Sequence, residues 1–456
     1  MFRRLPFLIL FLTLVVGPSA AQADRHTDDF VITAVRVFDG HRVIEDATVV
    51  VRNGRIESVG RRVAVPAHLP VIDGTGHTLL PAFIDGHIHP RERIELERSL
   101  YFGVGTEVDL FGPPEFVAEM TREQQRDGAT DRADVVSAGL FATRTGGYPY
   151  QFLPPGTLPT LDSPEEAADF VRDRVREGSR ILKIALEDSA ATGLSLPVLD
   201  PATVRALVRE AHRRNLVAVA HITAQPFADR ALAEGVDGLV HLFLDSPPAA
   251  DFAARAAASG VFVAPTTTVL ESVVGLSGGP GLVADPEIGP HLLAFEQFNL
   301  LTPFPPLGYP QEGLGWALET IAQLHAAGVP LVAGTDAANP GTTHGASLHR
   351  ELELLVLAGL TPREALTAAT ANPARAYRLH DRGRIARGLR ADLVMVEGDP
   401  TTDILATRAI RKVWKLGREL TRGIPAGAQT TAIGPLPAAQ ASCLHLDGFG
   451  LEGHDH

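Results

Sequence analysis

The sequence predicts an α/β protein, a (β/α)8 TIM barrel with a small β-sandwich domain built from both ends of the chain. Three observations lead to this prediction. In the middle of the chain, eight apolar strand-like runs alternate with helix-like stretches. Short β-like segments with tight turns lie on both sides of that region. The 456 residues, of which 45% are hydrophobic, are enough for one large barrel and a smaller domain.

The first 23 residues have the pattern of a secretory signal peptide. Arg3 and Arg4 precede an apolar run, Leu5 to Gly17, which is followed by small residues that end at Ala23. A membrane anchor is the alternative, but this run has 13 residues and a bilayer needs about 20. We therefore expect cleavage after Ala23 and an exported protein, either periplasmic or secreted.

The charge of the chain limits its partners. The formal net charge is −13, and loss of two positive charges, Arg3 and Arg4, with the signal peptide makes it −15. An acidic surface argues against nucleic acid and, after cleavage, against an anionic membrane, so a small-molecule substrate is the expected partner. The single cysteine, Cys443, cannot form an internal disulfide. A homo-oligomer is compatible with the sequence.

Two β-like regions are expected to form the β-sandwich, residues 24–80 and residues 381–425. In the first region, short runs of valine and isoleucine lie between the turn pairs Asp39-Gly40 and Asn53-Gly54. The same pattern returns in the second region, in the stretch RAIRKVWKLGREL. Two distant segments of one kind indicate a single small domain.

Residues 81–380 are expected to form the barrel. The strand candidates are AFIDGHIH, GTEVDL, DVVSAGLF, RILKIAL, LVAVAHI, GLVHLFL, VFVAPTTTV and VPLVAGTD. A doubly wound open sheet is the alternative on this pattern, but no glycine-rich phosphate loop precedes any helix. Residues 426–456 lack apolar periodicity, so we expect a mobile tail. A metal-binding tail is the alternative, because the tail contains Cys443, His445, His454 and His456.

Polar residues lie at the carboxyl ends of several strand candidates. They are His87 and His89 on the first, Lys183 on the fourth, His221 on the fifth, His241 on the sixth and Asp336 on the eighth. In a (β/α)8 barrel those strand ends meet at one mouth, where catalytic groups collect. Singly, each residue has an ordinary interpretation, such as a buried histidine, a helix cap or a lysine that extends to the rim. Together they indicate one site.

This set of residues resembles the amidohydrolase superfamily, which consists of metal-dependent hydrolases on a (β/α)8 barrel. The most similar part of it is the imidazolonepropionase-like and prolidase-like branch. The resemblance runs from about Val31 to Arg422 and includes PAFIDGHIH, AGTDA, HGASLHRELELLVLAGLTPREALTAATANPARAYRL and DRGRIARGLRADLVMVEGDP. These motifs are several, ordered and widely spread. The resemblance therefore implies both the barrel fold and an enzyme.

The resemblance also implies a site for two divalent metal ions, with zinc as the expected metal. One ion would be bound by His87, His89 and Asp336, and the other by His221 and His241. Neutral imidazoles and a carboxylate are suitable ligands for zinc, which agrees with this assignment.

Two of the implied ligands have a second chemical role. Lys183 would bridge both ions after its amine has reacted with carbon dioxide to a carbamate, because an ammonium cannot bind a cation. Asp336 would be the catalytic residue, since a metal-bridging hydroxide would attack the carbonyl and Asp336 would transfer the proton to the leaving nitrogen. The alternative is a single metal, with Lys183 in contact with the substrate.

The expected activity is metal-dependent hydrolysis of a C–N bond of the amide or peptide kind. The most concrete version is a prolidase-like dipeptidase or an N-acyl amino acid hydrolase. Hydrolysis of a lactone or another ester on the same site is one alternative, and a mononuclear deaminase is a second. A binding protein on an inactive barrel is a third, and the complete set of metal-site residues argues against it.

Four residues near the predicted mouth are candidates for substrate contacts: Arg91, Arg144, Tyr148 and His344. Arg91 completes a His-x-His-x-Arg motif, which in some cyclic-amidase relatives supplies an arginine for a substrate carboxylate; a surface arginine is the alternative. Arg144 and Tyr148 lie in the loop RTGGYPYQFLPPG, which is expected to form a lid, a pocket wall or an inert loop. His344 belongs to the HG…HREL stretch, in which His349 is expected to pack against the barrel rim.

Overall fold

The computed structural model of the chain describes residues 29–150, 153 and 156–422. The predicted signal peptide, residues 1–23, and the predicted tail, residues 426–456, lie outside the described residues. Cys443, His445, His454 and His456 lie outside them as well.

The described chain is an α/β structure in which strands and helices alternate, as the sequence predicts. The strands are β1 Phe30–Phe38, β2 Val43–Arg52, β3 Arg55–Gly60, β4 Val71–Asp73, β5 His77–Pro81, β6 Phe83–Ile88, β7 Val104–Asp109, β8 Asp134–Ser137, β9 Ile181–Leu186, β10 Val217–Ile222, β11 Gly238–Val240, β12 Phe262–Ala264, β13 Leu393–Glu397, β14 Ile410–Lys415 and β15 Arg418–Glu419. The helices are α1 Arg93–Tyr101, α2 Pro114–Asp127, α3 Ala167–Arg176, α4 Pro201–Arg213, α5 Gln225–Glu234, α6 Phe252–Ser259, α7 Thr267–Val273, α8 Gly279–Ala284, α9 Ala294–Leu301, α10 Glu312–Ala326, α11 Ala346–Leu357, α12 Pro362–Ala368 and α13 Ala371–Ala376. Short 3-10 helices lie at Pro164–Glu166, Ala190–Thr192, Gly289–His291 and Ile404–Arg408.

The predicted barrel strands form two parallel sheets, β6-β7-β8 and β9-β10-β11-β12. Three isolated parallel bridges extend these sheets at their edges. Ala142, which follows β8, pairs with Ile184 of β9, and Leu331 pairs with Val263 of β12. Ala337 pairs with Ile88 of β6. The eighth apolar run, residues 329–336, therefore lies between β12 and β6, with one bridge from Leu331 and one from Ala337 directly after the run.

Helix α4 shows how the local sequence produces the alternating pattern. Asp200 caps the helix, since its side chain accepts hydrogen bonds from the backbone N–H groups of Ala202 and Thr203. Pro201 occupies the first turn, where no backbone N–H is needed. Buried residues recur every three or four positions, among them Val204, Leu207, Val208 and Ala211. Each large apolar side chain buried in this way contributes about 1.5–3 kcal/mol.

The two ends of the chain form one sheet in the order β15-β14-β13-β5-β1-β2-β3, with β4 paired to β1. The ends meet in the antiparallel pair β13–β5, where Leu393 lies opposite Pro81. The sheet has its own apolar core, in which Phe30 stacks on Trp414 with 5.4 Å between the ring centroids. Both ends thus contribute to one β-structure, while the two-layer packing of a sandwich stays a prediction.

Charged residues connect this sheet to the start of β8. The buried ion cluster consists of Asp134, Arg382, Arg390, Asp392 and Lys415. Asp134 receives ion pairs from Arg382 at 2.5 Å, Arg390 at 2.7 Å and Lys415 at 3.0 Å. Burial alone would raise the pKa of Asp134, but the three cations hold it well below its usual range. The cluster is compensated, because each buried charge has an opposite charge beside it.

Among the described residues, no helix combines the length and the apolar character that a membrane span requires.

Candidate active site

Polar residues gather at the carboxyl ends of the parallel strands. The strand-end cluster consists of His87 in β6, His89 after β6, Lys183 in β9, His221 in β10, His241 after β11 and Asp336 at the end of the eighth run. All six side chains are largely shielded, and the most accessible of them, that of His89, is 15% exposed. The structure therefore brings together every residue that the sequence assigned to a metal site.

Asp336 is the centre of one half of this cluster. Its Oδ1 atom lies 2.9 Å from His89 Nε2 and 3.4 Å from His87 Nε2. Its Oδ2 atom lies 3.9 Å from His241 Nδ1. The candidate ligand atoms of His87, His241 and Asp336 are all within 4.8 Å of one another, which is compact enough for one metal ion.

His221 and Lys183 complete the cluster. The ring of His221 lies edge-on to that of His241, with 4.6 Å between the centroids. Lys183 Nζ lies 3.1 Å from His87 Nε2. The two halves of the predicted dinuclear site are thus adjacent, with Lys183 beside the histidine that also contacts Asp336.

Three of the four imidazoles of the cluster are held neutral. Burial is the main cause that lowers the pKa of His87, His221 and His241 well below the usual value of histidine, and the charge of Lys183 lowers each of them further. A neutral imidazole keeps a lone pair on one ring nitrogen, and this lone pair can bind a metal ion.

Lys183 also has a perturbed ionisation. Burial lowers its pKa to about 8, against the opposing effect of the carboxylates of Asp336 and Asp109. A substantial fraction of its amine is therefore neutral near pH 8, whereas an exposed lysine is almost entirely an ammonium.

The donor set fits a metal ion. His221 Nε2 is buried and has no hydrogen-bond partner among the described residues. A buried nitrogen without a partner costs about 1–3 kcal/mol, and a cation at this position would remove that cost. The surrounding donors are neutral imidazoles and a carboxylate, which are the ligands that zinc prefers.

Three non-glycine residues at these strand ends have a strained backbone. His241 has a φ of 70°, Asp336 a φ of 57° and Thr266 a φ of 53°, all in the left-handed region that non-glycine residues rarely adopt. Each such residue costs about 1–3 kcal/mol and persists only where its surroundings enforce it. For Asp336 the enforcing contact is a backbone hydrogen bond of 2.7 Å to His87 O.

One side of the strand-end cluster is covered by aromatic residues. Tyr148 stacks on His221, with 4.8 Å between the centroids and 20° between the planes. Phe111 lies edge-on to His89 at 6.2 Å. The contact of Tyr148 brings its loop to the cluster, and its role as a pocket wall stays a prediction.

The other predicted substrate residues lie in more varied surroundings. Arg91 is partly buried, and the carboxylates of Glu95 and Asp109 counteract the lowering of its pKa by burial. Arg144 instead contacts the neighbouring loops, with Nη1 3.4 Å from Val198 O and Nε 3.4 Å from a carboxylate oxygen of Asp162. Its side chain is 42% exposed, so its contacts in the structure are those of a loop residue.

His344 is buried among acids. Its Nδ1 lies 3.1 Å from Glu107 Oε1 and its Nε2 3.7 Å from Glu95 Oε1. Burial opposes protonation, but Glu107 and Glu95 outweigh it and raise the pKa of His344 to about 9. His349 is buried and contacts Phe102 O at 3.1 Å and Thr407 Oγ1 at 3.0 Å.

The sequence reasoning missed several buried acids beside the cluster. Asp109 ends β7, and its Oδ1 lies 3.9 Å from His89 Nδ1. Asp85 accepts hydrogen bonds from the backbone N–H of Thr335 at 3.0 Å and from its hydroxyl at 2.7 Å, which joins β6 to the eighth run. Both acids lie in apolar strands, so the rule that found the six cluster residues would also have identified them.

Comparison with known proteins agrees with this architecture. A family model described as the amidohydrolase family matches residues 78–420. An imidazolonepropionase of Cereibacter sphaeroides is 29% identical over 390 residues, which cover 80% of this chain and 92% of that protein. An ochratoxinase of Aspergillus niger is 24% identical over 64% of this chain and 61% of that protein.

Solved structures show the same fold. The structure of a Xaa-Pro dipeptidase superposes with a TM-score of 0.70 at 20% sequence identity, over 86% of this chain and 99% of that one. The family model covers well over half of the chain, including all six residues of the strand-end cluster. This chain therefore belongs to the amidohydrolase family and is a hydrolase of carbon–nitrogen bonds.

Proposed function

We propose that this protein is a metal-dependent hydrolase that cleaves an amide or peptide-like bond of a small molecule, with dipeptides and N-acyl amino acids as its substrate class. The observation that carries the proposal is the convergence of four histidines, Lys183 and Asp336 in one buried cluster at the strand ends. Support for the substrate class comes from the similarity to the Xaa-Pro dipeptidase.

The cluster would hold two divalent metal ions, with zinc as the proposed metal. One would be bound by His87, His89 and Asp336, whose candidate ligand atoms lie within 3.4 Å of Asp336 Oδ1, and the other by His221 and His241, whose rings are adjacent. The candidate ligand atom of His241 is also within 4.8 Å of those of His87 and Asp336, so the two ions would lie close together. When bound, such ions polarise the scissile carbonyl and make a water molecule nucleophilic near neutral pH.

Lys183 is proposed to bridge the ions as a carbamate. Its neutral amine would attack carbon dioxide, form a C–N bond and release one proton, which leaves one negative charge on two oxygens. The lowered pKa would supply the neutral amine, and the distance of 3.1 Å from Nζ to His87 Nε2 supports this role.

Asp336 is proposed to transfer the proton. Its carboxylate lies within 3.4 Å of two histidines and is held at the end of the eighth run by the hydrogen bond from its own N–H to His87 O. It would accept the proton that the attacking water loses and donate it to the leaving nitrogen. Tyr148 and Phe111 would exclude water from one side of the reacting bond.

Several broader proposals accompany this function. We infer that the two parallel sheets and residues 329–336 form one closed eight-stranded barrel, because bridges link each edge to the next. The terminal sheet would fold over as a small β-sandwich, with residues 24–80 and 381–425 as its two parts and residues 81–380 as the barrel. The pattern of residues 1–23 supports export, either to a periplasm or out of the cell.

The experiment that tests the function combines metal analysis with a substrate screen. The mature protein is expected to contain about two metal ions per chain and to release free amino acid from dipeptides or N-acyl amino acids. His221→Ala should lose metal and activity, while the surface variant His212→Ala serves as the control. Turnover of lactones alone, or full activity with one ion and with Lys183→Ala, would contradict the proposal.

A further inference from the structure

We propose that Thr266 is a positioning residue for His241, and that Glu351 of the HREL stretch holds the segment with Thr266 in place. The proposal rests on the proposed metal site, of which His241 is a ligand. It assigns a role to helix α11, which carries Glu351 and contains no residue of the strand-end cluster.

The first step is the contact between Thr266 and His241. Thr266 Oγ1 lies 2.8 Å from His241 Nδ1, and both residues are buried. If Nδ1 carries the proton, its N–H donates a hydrogen bond to the hydroxyl oxygen of Thr266, and Nε2 keeps its lone pair. Metal-binding histidines typically donate a hydrogen bond from the N–H of the ring nitrogen that does not bind the metal. This hydrogen bond fixes both the tautomer and the ring orientation.

The second step is the conformation of Thr266. Its φ of 53° places a β-branched residue in the left-handed region, where such residues are outliers. His241 has a φ of 70°, so the two partners of this hydrogen bond are both strained. A strained residue keeps its position only if neighbouring contacts enforce it.

Glu351 provides the enforcing contacts. Its carboxylate accepts hydrogen bonds from the backbone N–H of Thr267 at 3.1 Å, from the backbone N–H of Thr268 at 2.8 Å and from the Thr268 hydroxyl at 2.8 Å. These donors belong to the first turn of α7, directly after Thr266. Glu351 is fully buried, so water does not compete for these bonds.

Further contacts hold helix α11, which carries Glu351, in position. Arg350 pairs with Glu271 of α7 at 2.7 Å, which is a second link between α11 and α7. On the same helix, His349 contacts Phe102 O at 3.1 Å. The HREL stretch therefore anchors α7, and α7 presents Thr266 to the metal ligand.

The experiment measures how tightly the holoenzyme retains its metal ions. Wild type, Thr266→Val and Thr266→Ser are titrated with a chelator, and bound zinc is counted at each step. Valine removes the hydroxyl at nearly constant volume, so one of the two ions should be lost at a chelator concentration about 10–100-fold lower. Serine keeps the hydroxyl and should restore retention. The matched control is Thr320→Val, because Thr320 is equally buried but its hydroxyl bonds to Trp316 O of its own helix.

Glu351→Gln tests the second part of the proposal. An amide cannot accept all three hydrogen bonds, so the same ion should be lost about 10-fold more easily while the other ion stays bound. Equal loss of both ions in proportion to a lower Tm would show that Glu351 is only structural. Unchanged retention in Thr266→Val would overturn the inference while the proposed function stands. A wild-type protein without zinc would overturn the proposed function and the inference with it.

Discussion

Two buried polar regions of this molecule differ in how their charges are satisfied. The buried ion cluster lies at the start of β8, where Asp134 has three cations within 3.0 Å. The strand-end cluster lies at the other ends of the strands, with three neutral imidazoles, a lysine of lowered pKa and a histidine nitrogen that has no hydrogen-bond partner among the described residues. The buried ion cluster is compensated by the protein's own charges, whereas the strand-end cluster has donor atoms that the proposed metal ions would bind.

The difference teaches which polar residues serve stability and which serve chemistry. The two clusters also differ in backbone conformation. His241 and Asp336 of the strand-end cluster have left-handed φ values, whereas none of the five residues of the buried ion cluster does. In barrels, the carboxyl ends of the strands carry the catalytic groups and the opposite ends stabilise the fold. The predictions below test this division from the largest expected effect to the smallest.

Asp336→Asn should abolish catalysis with little effect on folding. The amide cannot transfer the proton, so kcat should fall by about 1,000-fold. Asparagine adopts the left-handed region more readily than most residues, so the φ of 57° is kept. The measurements are kcat and the free energy of unfolding of the metal-free protein in urea. If Asp336→Asn lost as much stability as Lys415→Ala, the variant of the buried ion cluster described next, the distinction between the two regions would be wrong.

Lys415→Ala should have the opposite effect. Lys415 is fully buried, pairs with Asp134 and Asp392 and donates a hydrogen bond to Gly105 O. Its removal takes a cation from both buried carboxylates, leaves that carbonyl without its donor and creates a cavity. We expect a loss of about 3–5 kcal/mol in the free energy of unfolding, measured in urea. The kcat of the molecules that remain folded should be unchanged, and a proportional fall in kcat would contradict this.

His344→Gln should give a stability loss that depends on pH. The folded pKa of His344 is raised from 6.5 to about 9, so its charge stabilises the fold fully below pH 6.5 and the contribution is lost as pH rises through 9. The pH-dependent part amounts to about 3 kcal/mol. Urea unfolding of wild type and variant at pH 6, 8 and 10 measures it, and a difference that grows with pH would refute the assignment.

Lys412→Ala is the smallest change and the matched control for Lys415. Both lysines lie on β14, but the Lys412 side chain is 34% exposed and pairs with the exposed Glu419 at 2.6 Å. Surface pairs of this kind contribute about 0–1 kcal/mol. If this variant were as unstable as Lys415→Ala, the role assigned to the buried ion cluster would be wrong.

The sequence could reveal the strand-end cluster because a polar residue stands out in an apolar strand. His221 in VAVAHI and Lys183 in ILKIAL are such cases, and the structure brings both to the cluster. The buried ion cluster gave no such signal, since Asp134 begins its strand and Lys415 ends its own, where charged residues are ordinary. Their partnership depends on the tertiary packing of regions that are far apart in sequence.

Loop residues were harder still to place. Tyr148 stacks on His221, whereas Arg144, four residues earlier, contacts Val198 and Asp162. A composition of glycine and proline predicts a loop but does not determine which of its side chains turn inward. The role of Thr266 was hidden for a similar reason, because its φ and its contact with His241 are properties of the folded chain.

The hydrogen bonds between Asp85 and Thr335 have a consequence for the order of folding. They span 250 residues and join the first barrel strand to the eighth run. Contacts so far apart in sequence form late, because the loop between them must first be closed. His87 and His89 are synthesised early, but the strand-end cluster is complete only after Asp336 has been synthesised and has folded against them. A chain interrupted before Thr335 would therefore carry five of the six residues of the strand-end cluster and still lack Asp336, which joins them.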